Sequence, residues 1–158
     1  MTAGGTLVVG IGQPFGGDDA VGLAVVERLR TMGIQACTVP DGAALATALA
    51  GAPRAVIIDA VAGGGPAGTV LHLSGDELCE RAGAAPVSSH GLSVPDAVAL
   101  ARALGGAEET HLIGVAIEPR EGVSTTLGPE VAAAVEIAAA RVRALLGDEE
   151  AAGAAQEA

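Results

Sequence analysis

Carboxylates and one imidazole are the side chains in this sequence best suited to chemistry. Asp18 and Asp19 close the segment "GIGQPFGGDDAVG" (10–22), Asp59 ends the apolar run "AVIID", and His90 stands in "SSHG". Each has a plain structural reading. An aspartate at a helix start caps it for about 1 kcal/mol or less, one after a strand makes a turn, and a lone histidine is commonly a hydrogen-bonded surface residue. Their placement suggests more. Each follows a predicted strand or opens a predicted helix, so all can meet at one crevice. Only one of the paired aspartates is needed as a cap, which frees the other. Carboxylate oxygen with imidazole nitrogen suits a borderline divalent cation such as zinc or nickel, with coordination positions left open. His72 and His111 are weaker candidates because each lies inside a strand pattern.

The glycines before the aspartates invite a nucleotide-binding reading. Gly10 and Gly12 fit G-x-G-x-x-G, but the sixth position is Phe15 and Gly16 comes one residue late. A phosphate-binding turn works because helix N–H groups and the helix dipole attract an anion. Asp18 and Asp19 would occupy that positive end and repel a pyrophosphate. Asp41, after the second strand, resembles a ribose-binding acid, so a Rossmann-like nucleotide-binding domain stays as an alternative. Other chemistries lack their residues: there is no G-x-S-x-G elbow and no HExxH, and neither cysteine neighbours a histidine. Ser88 and Ser89 adjoin His90 in sequence only, which is not triad geometry.

The elements that must position these residues follow from apolar periodicity. Strands are expected at 6–12, 34–39, 54–61, 68–73 and 110–118, and helices at 18–32, 43–51, 93–106 and 128–147. Val21, Val25, Leu29 and Met32 form the core stripe of the first helix; Val131, Val135, Val142 and Leu145 form that of the last. Pro95 and Pro129 fall in first turns, where a missing N–H costs nothing. The alternation specifies an α/β fold: a three-layer α/β/α sandwich with a mainly parallel, twisted sheet of about five strands flanked by helices. Ligands of such sheets bind beyond the carboxyl ends of the strands. Residues 1–147 read as a single domain, and 148–158 as an acidic, disordered tail.

Composition narrows the partners. Half of the 158 residues are apolar, yet there is one Phe and no Tyr or Trp, so Ala, Val and Leu must fill the core and no aromatic platform exists for stacking bases. A net charge of −11 argues against nucleic acid and anionic membranes. All eight basic residues are arginine, which excludes a P-loop lysine and a Schiff-base lysine. Cys37 and Cys79 form no CxxC and read as buried free thiols of a reducing compartment. No signal peptide and no membrane span is evident, so a cytoplasmic location is expected.

Four segments in order, "LVVGIGQPFGGDDAVGLAVVERL", "DGAALATALA", "VIIDAVAGGGPAGTV" and "VSSHGLSVPDAVALARAL", resemble the hydrogenase maturation endopeptidases. A fifth, "LIGVAIEPREGVSTTLGPEVAAAV", is similar to the family's last strand and helix, so the resemblance spans residues 6 to 146. It implies an α/β/α endopeptidase that removes the C-terminal extension of a nickel–iron hydrogenase large-subunit precursor after nickel insertion. It also implies that the three metal-contacting positions fall on Asp19, Asp59 and His90, with Asp41 as a fourth functional residue. Nickel would come with the substrate protein, zinc or cadmium could replace it in a crystal, and no organic cofactor is implied. The precursor is the implied partner and a monomer the implied state. Gln13 stands where the family has Asn, Ala20 where Gly is frequent, and Ala43 where the "DGG"-like segment has its second glycine. A non-catalytic metal-binding maturation chaperone would use the same cluster without hydrolysis.

Overall fold

The computed structural model of the chain describes residues 2–3, 5–83, 91–118 and 126–157. The strands are β1 (Thr2–Ala3), β2 (Thr6–Ile11), β3 (Cys37–Val39), β4 (Arg54–Ala62), β5 (Val70–Ser74) and β6 (Glu109–Ile117). The helices are α1 (Val21–Thr31), α2 (Gly42–Ala50), α3 (Gly75–Glu80), α4 (Val94–Ala103) and α5 (Pro129–Glu157), with a 3-10 turn at Gly17–Ala20 leading into α1.

β2, β4 and β6 read as unbroken apolar runs because both faces of the sheet are covered. Side chains still alternate with period two. Val8, Val56, Ile58, Ile113 and Val115 pack with α1 and α5. Leu7, Val9, Ala55, Ile57 and Leu112 pack with α2, α3 and α4 on the other face. The result is the expected three-layer sandwich. Its largest fully buried side chains are Leu29, Leu45, Leu49, Ile57, Ile58, Leu78 and Ile113, an aliphatic core without an aromatic ring.

β3 and β4 flank β2 in parallel, and β6 continues the parallel sheet beyond β4. β5 closes one edge antiparallel to β6, and β1 lies antiparallel to the first half of β2. β1 pairs with residues 6–7 of β2 and β3 with residues 9–11, so both share one outer edge. Six strands thus fill five lateral positions. Among the described residues no helix is long and apolar enough to cross a membrane.

Several elements differ from the sequence reading: β1 was not expected, and β3 is confined to Cys37–Val39 of the expected 34–39. α3 was not foreseen, although Ser74 and Glu77 have capping-box spacing and the Glu77 N–H does donate to Ser74 Oγ at 3.1 Å; six residues are too few to display a helical period. α1 begins at Val21 rather than at residue 18, because residues 17–20 form the 3-10 turn. α5 does not stop at Gly147 but runs to Glu157, through the segment assigned to a disordered tail. A glycine in a helix interior costs only about 1 kcal/mol relative to alanine, and the Ala- and Glu-rich sequence around it favours continuation.

Candidate active site

The sheet has one topological switch point. From β2 the chain passes through α1 to β3 on one side, then through α2 to β4 on the other, with α1 and α2 on opposite faces. The carboxyl ends of β2 and β4 flank this point, the place where α/β sheets bind their ligands. β2 pairs with β4 as far as Gly10 and Ile58. Asp59 is the next residue of β4, still paired with Gly114 of β6 but no longer covered by β2.

The glycines explain how a helix start comes so close to that point. A Cβ at Gly22 would meet the carbonyl oxygens of Ile11 at 2.5 Å and Ile58 at 2.8 Å; one at Gly10 would meet the Gly22 carbonyl oxygen at 2.5 Å. Both positions therefore require glycine, and α1 lies directly on the strand ends. The chain fits this approach by entering α1 through the 3-10 turn, which also lies against β4. The glycine motif thus serves backbone contact and delivers two carboxylates, instead of cradling a phosphate.

Neither aspartate caps α1. Asp18 and Asp19 both lie in the 3-10 turn, Ala20 is the residue before α1, and no side chain caps either start. Asp18 instead reaches across the molecule: its Oδ1 accepts the Gly128 N–H at 2.7 Å, pinning the loop to the start of α5. Asp19 is exposed and free of that duty.

Asp59 is half-buried, and burial pushes its carboxyl up to about 7. The Ala60 N–H, which donates to Asp59 Oδ1 at 2.8 Å, opposes the rise; the negative charge of Asp19 adds to it. The fold therefore brings Asp19 and Asp59 into one electrostatic unit without a basic partner among the groups that set the Asp59 acidity. Such a pair holds a proton near neutrality or welcomes a cation.

Asp41 lies at the same end of the sheet in a different role. It is the N-cap of α2, accepting the Ala44 N–H at 2.8 Å. Next to it, a Cβ on Gly42 would meet the Leu92 carbonyl oxygen at 2.0 Å, so the segment that resumes at Gly91 lies hard against this helix start. His90 is outside the described residues. Among the described residues no three His, Cys, Asp or Glu side chains converge into a metal-binding cluster. His72 and His111, on β5 and β6, engage each other, with His72 Nε2 and His111 Nδ1 at 2.9 Å. Cys37 and Cys79 are free and only partly buried, not fully buried as expected.

Two features of this site escaped the sequence reading. No local signal pairs Asp18 with Gly128, because the partners are 110 residues apart. Phe15, read only as a misfit in a glycine pattern, is 64 % exposed on the same loop.

Residues 26–144 match the family model described as HycI, hydrogenase maturation protease. The fold is similar to that of the hydrogenase maturating endopeptidase HybD from E. coli, with a TM-score of 0.75 and 26 % identity over 94 % of each chain. It is also similar to the NiFe hydrogenase maturation protease HybD from Thermococcus kodakarensis, with a TM-score of 0.70 and 30 % identity over 92 % of this chain and 99 % of that one. HycI from Thermococcus kodakarensis KOD1, likewise a NiFe hydrogenase maturation protease, superposes with a TM-score of 0.67 and 25 % identity over 90 % of this chain and 92 % of that one. No curated protein matches the sequence.

Proposed function

The chain belongs to the hydrogenase maturation protease family and is an endopeptidase; from that premise we propose that it removes the C-terminal extension of a nickel–iron hydrogenase large-subunit precursor after nickel insertion. The substrate brings the nickel, and Asp19, Asp59 and His90 recognise it. The observation that carries this reading is the Asp59 carboxyl, raised to about 7 by burial and by Asp19. A divalent cation bound there offsets both carboxylates together, whereas a metal-free precursor leaves their repulsion unrelieved. Cleavage then reports metal loading.

Hydrolysis adds a water hydroxide to the scissile carbonyl and returns the proton to the leaving amine. Two routes serve the first step. A cation can polarise the carbonyl or the water, or an ionised carboxylate can take the water proton as general base. Asp59, with an acidity near neutrality, is suited to the second. Asp41 supports the site by fixing the start of α2. Membership of a protease family displaces the nucleotide-binding reading. The non-catalytic chaperone reading is an outcome of the test.

Nickel-loaded and nickel-free precursor are incubated with the enzyme and weighed by mass spectrometry. Loss of a C-terminal peptide from the loaded sample alone is the expected result. Equal loss from both would remove metal recognition from the proposal, and loss from neither, with binding of the loaded form, would favour the chaperone.

A further inference from the structure

We infer that Phe15 anchors the protein substrate at the acidic mouth, receiving an apolar side chain of the precursor within a few residues of its metal. The inference rests on the processing function proposed above and names a contact that the carboxylates cannot supply.

Phe15 is the only Phe, Tyr or Trp of the chain. The two buried cores are built of Leu, Ile, Val and Ala, yet this ring stays outside, 64 % exposed. Scattered surface leucines are ordinary; a sole phenyl ring left out of an aliphatic core, on the loop that carries the site, is a different matter. The loop is also tied by backbone hydrogen bonds there. The Gly16 N–H donates to the Gln13 carbonyl at 3.1 Å, closing a turn with Pro14 and Phe15 at its centre. Pro14 fixes its own backbone angle. The Asp19 N–H then donates to the Gly16 carbonyl at 3.1 Å, so the aromatic turn and the 3-10 turn bearing Asp19 are hydrogen-bonded in series. A ring presented this way loses little conformational freedom on binding, which suits aromatic residues to act as interface anchors.

Leu92 adds a second apolar surface at the same end of the sheet. It is 38 % exposed, and its backbone lies against Gly42 beside Asp41. A protein of net charge −11 attracts a cation over distance but offers little to the uncharged polypeptide around it. Phe15 supplies that missing part of the affinity, and its contribution does not depend on salt.

The test is steady-state processing of nickel-loaded precursor by wild type, Phe15→Ala, Phe15→Leu and Leu104→Ala. Leu104 is 67 % exposed at the far end of α4, away from the site, and controls for loss of any exposed apolar surface. Phe15→Ala is expected to raise KM about tenfold or more, equivalent to about 1.4 kcal/mol, with kcat and thermal midpoint unchanged and the same ratio at 50 and 500 mM salt. Phe15→Leu should recover most of the lost affinity and Leu104→Ala should match wild type. Wild-type KM in Phe15→Ala, an equal effect of Leu104→Ala, or a loss confined to kcat would overturn the anchor while leaving the processing function standing. Failure of the wild type to cleave loaded precursor would overturn both.

Discussion

At the carboxyl end of β4, Asp59 ionises against burial and against the charge of Asp19. On β5 and β6, two other ionisable side chains meet with the opposite result: His72 Nε2 and His111 Nδ1 are 2.9 Å apart, one donating and one accepting. The imidazoles satisfy each other and tie an edge strand to its neighbour. The carboxylates leave each other unsatisfied. Like charges held together cost stability, and a fold retains such a cost where a ligand will relieve it. The comparison separates a site from a structural tie although both are pairs of metal-ligating residue types.

The sharpest way to break that contrast is to remove the acidic end. Asp19→Ala, Asp59→Ala and His90→Ala are each expected to lower processing by about a thousandfold or more, with none of them unfolding the protein. Near-normal rates in all three would mean that the chemistry lies elsewhere.

A second prediction concerns stability alone. The folded Asp59 binds its proton more tightly than the ordinary carboxyl at 3.8, with a folded value of about 7. The folded state therefore loses stability as pH rises from about 4 to about 7, and above that range the penalty is roughly 4 kcal/mol. Asp59→Asn removes the group that ionises. Urea unfolding at pH 5 and pH 8 should find the variant more stable than wild type chiefly at pH 8; a variant equally or less stable there would contradict the strain assigned to this carboxylate.

Next comes Asp18, which works for the fold. Asp18→Ala removes a charge-assisted hydrogen bond to the Gly128 N–H and should cost about 1–2 kcal/mol. A loss below about 0.3 kcal/mol would show the contact to be incidental.

The smallest effect belongs to the imidazole pair. Burial, His111 and Arg141 on α5 hold His72 below its ordinary value, and Glu77 on α3 opposes them. A lowered folded value means that the unfolded chain takes the proton first, so stability declines as pH falls through about 6.5, the reverse of the Asp59 slope. Because His72 is exposed, a double-mutant cycle of His72→Ala and His111→Ala should give a coupling under about 1 kcal/mol at pH 8, vanishing at pH 5. A coupling that persists at pH 5 would refute a shared proton.

Much of this was legible from residue order. The strand ending at Asp59 announces itself, because an apolar run that stops on a carboxylate must deliver that group to an edge or a partner. The sandwich follows from alternating strand and helix patterns. Other features needed three dimensions. Asp18 and Asp19 are chemically identical in sequence; Gly128 distinguishes them, and no local pattern could name it. β1 has two residues and α3 six, below the length at which a period can be seen. Gly147 looked like a helix stop because the sequence cannot show whether a glycine ends a helix or is merely tolerated within it. The expectation for His90 lies outside the described residues.

The hydrogen bond from Gly128 to Asp18 also fixes an order of events. A nascent chain on the ribosome exposes its first loop early, but the group that secures that loop is synthesised 110 residues later. Until the terminal helix has emerged and docked, Asp18 lacks the partner that secures it. The last part of the chain to be made therefore completes the anchoring of one of the first loops.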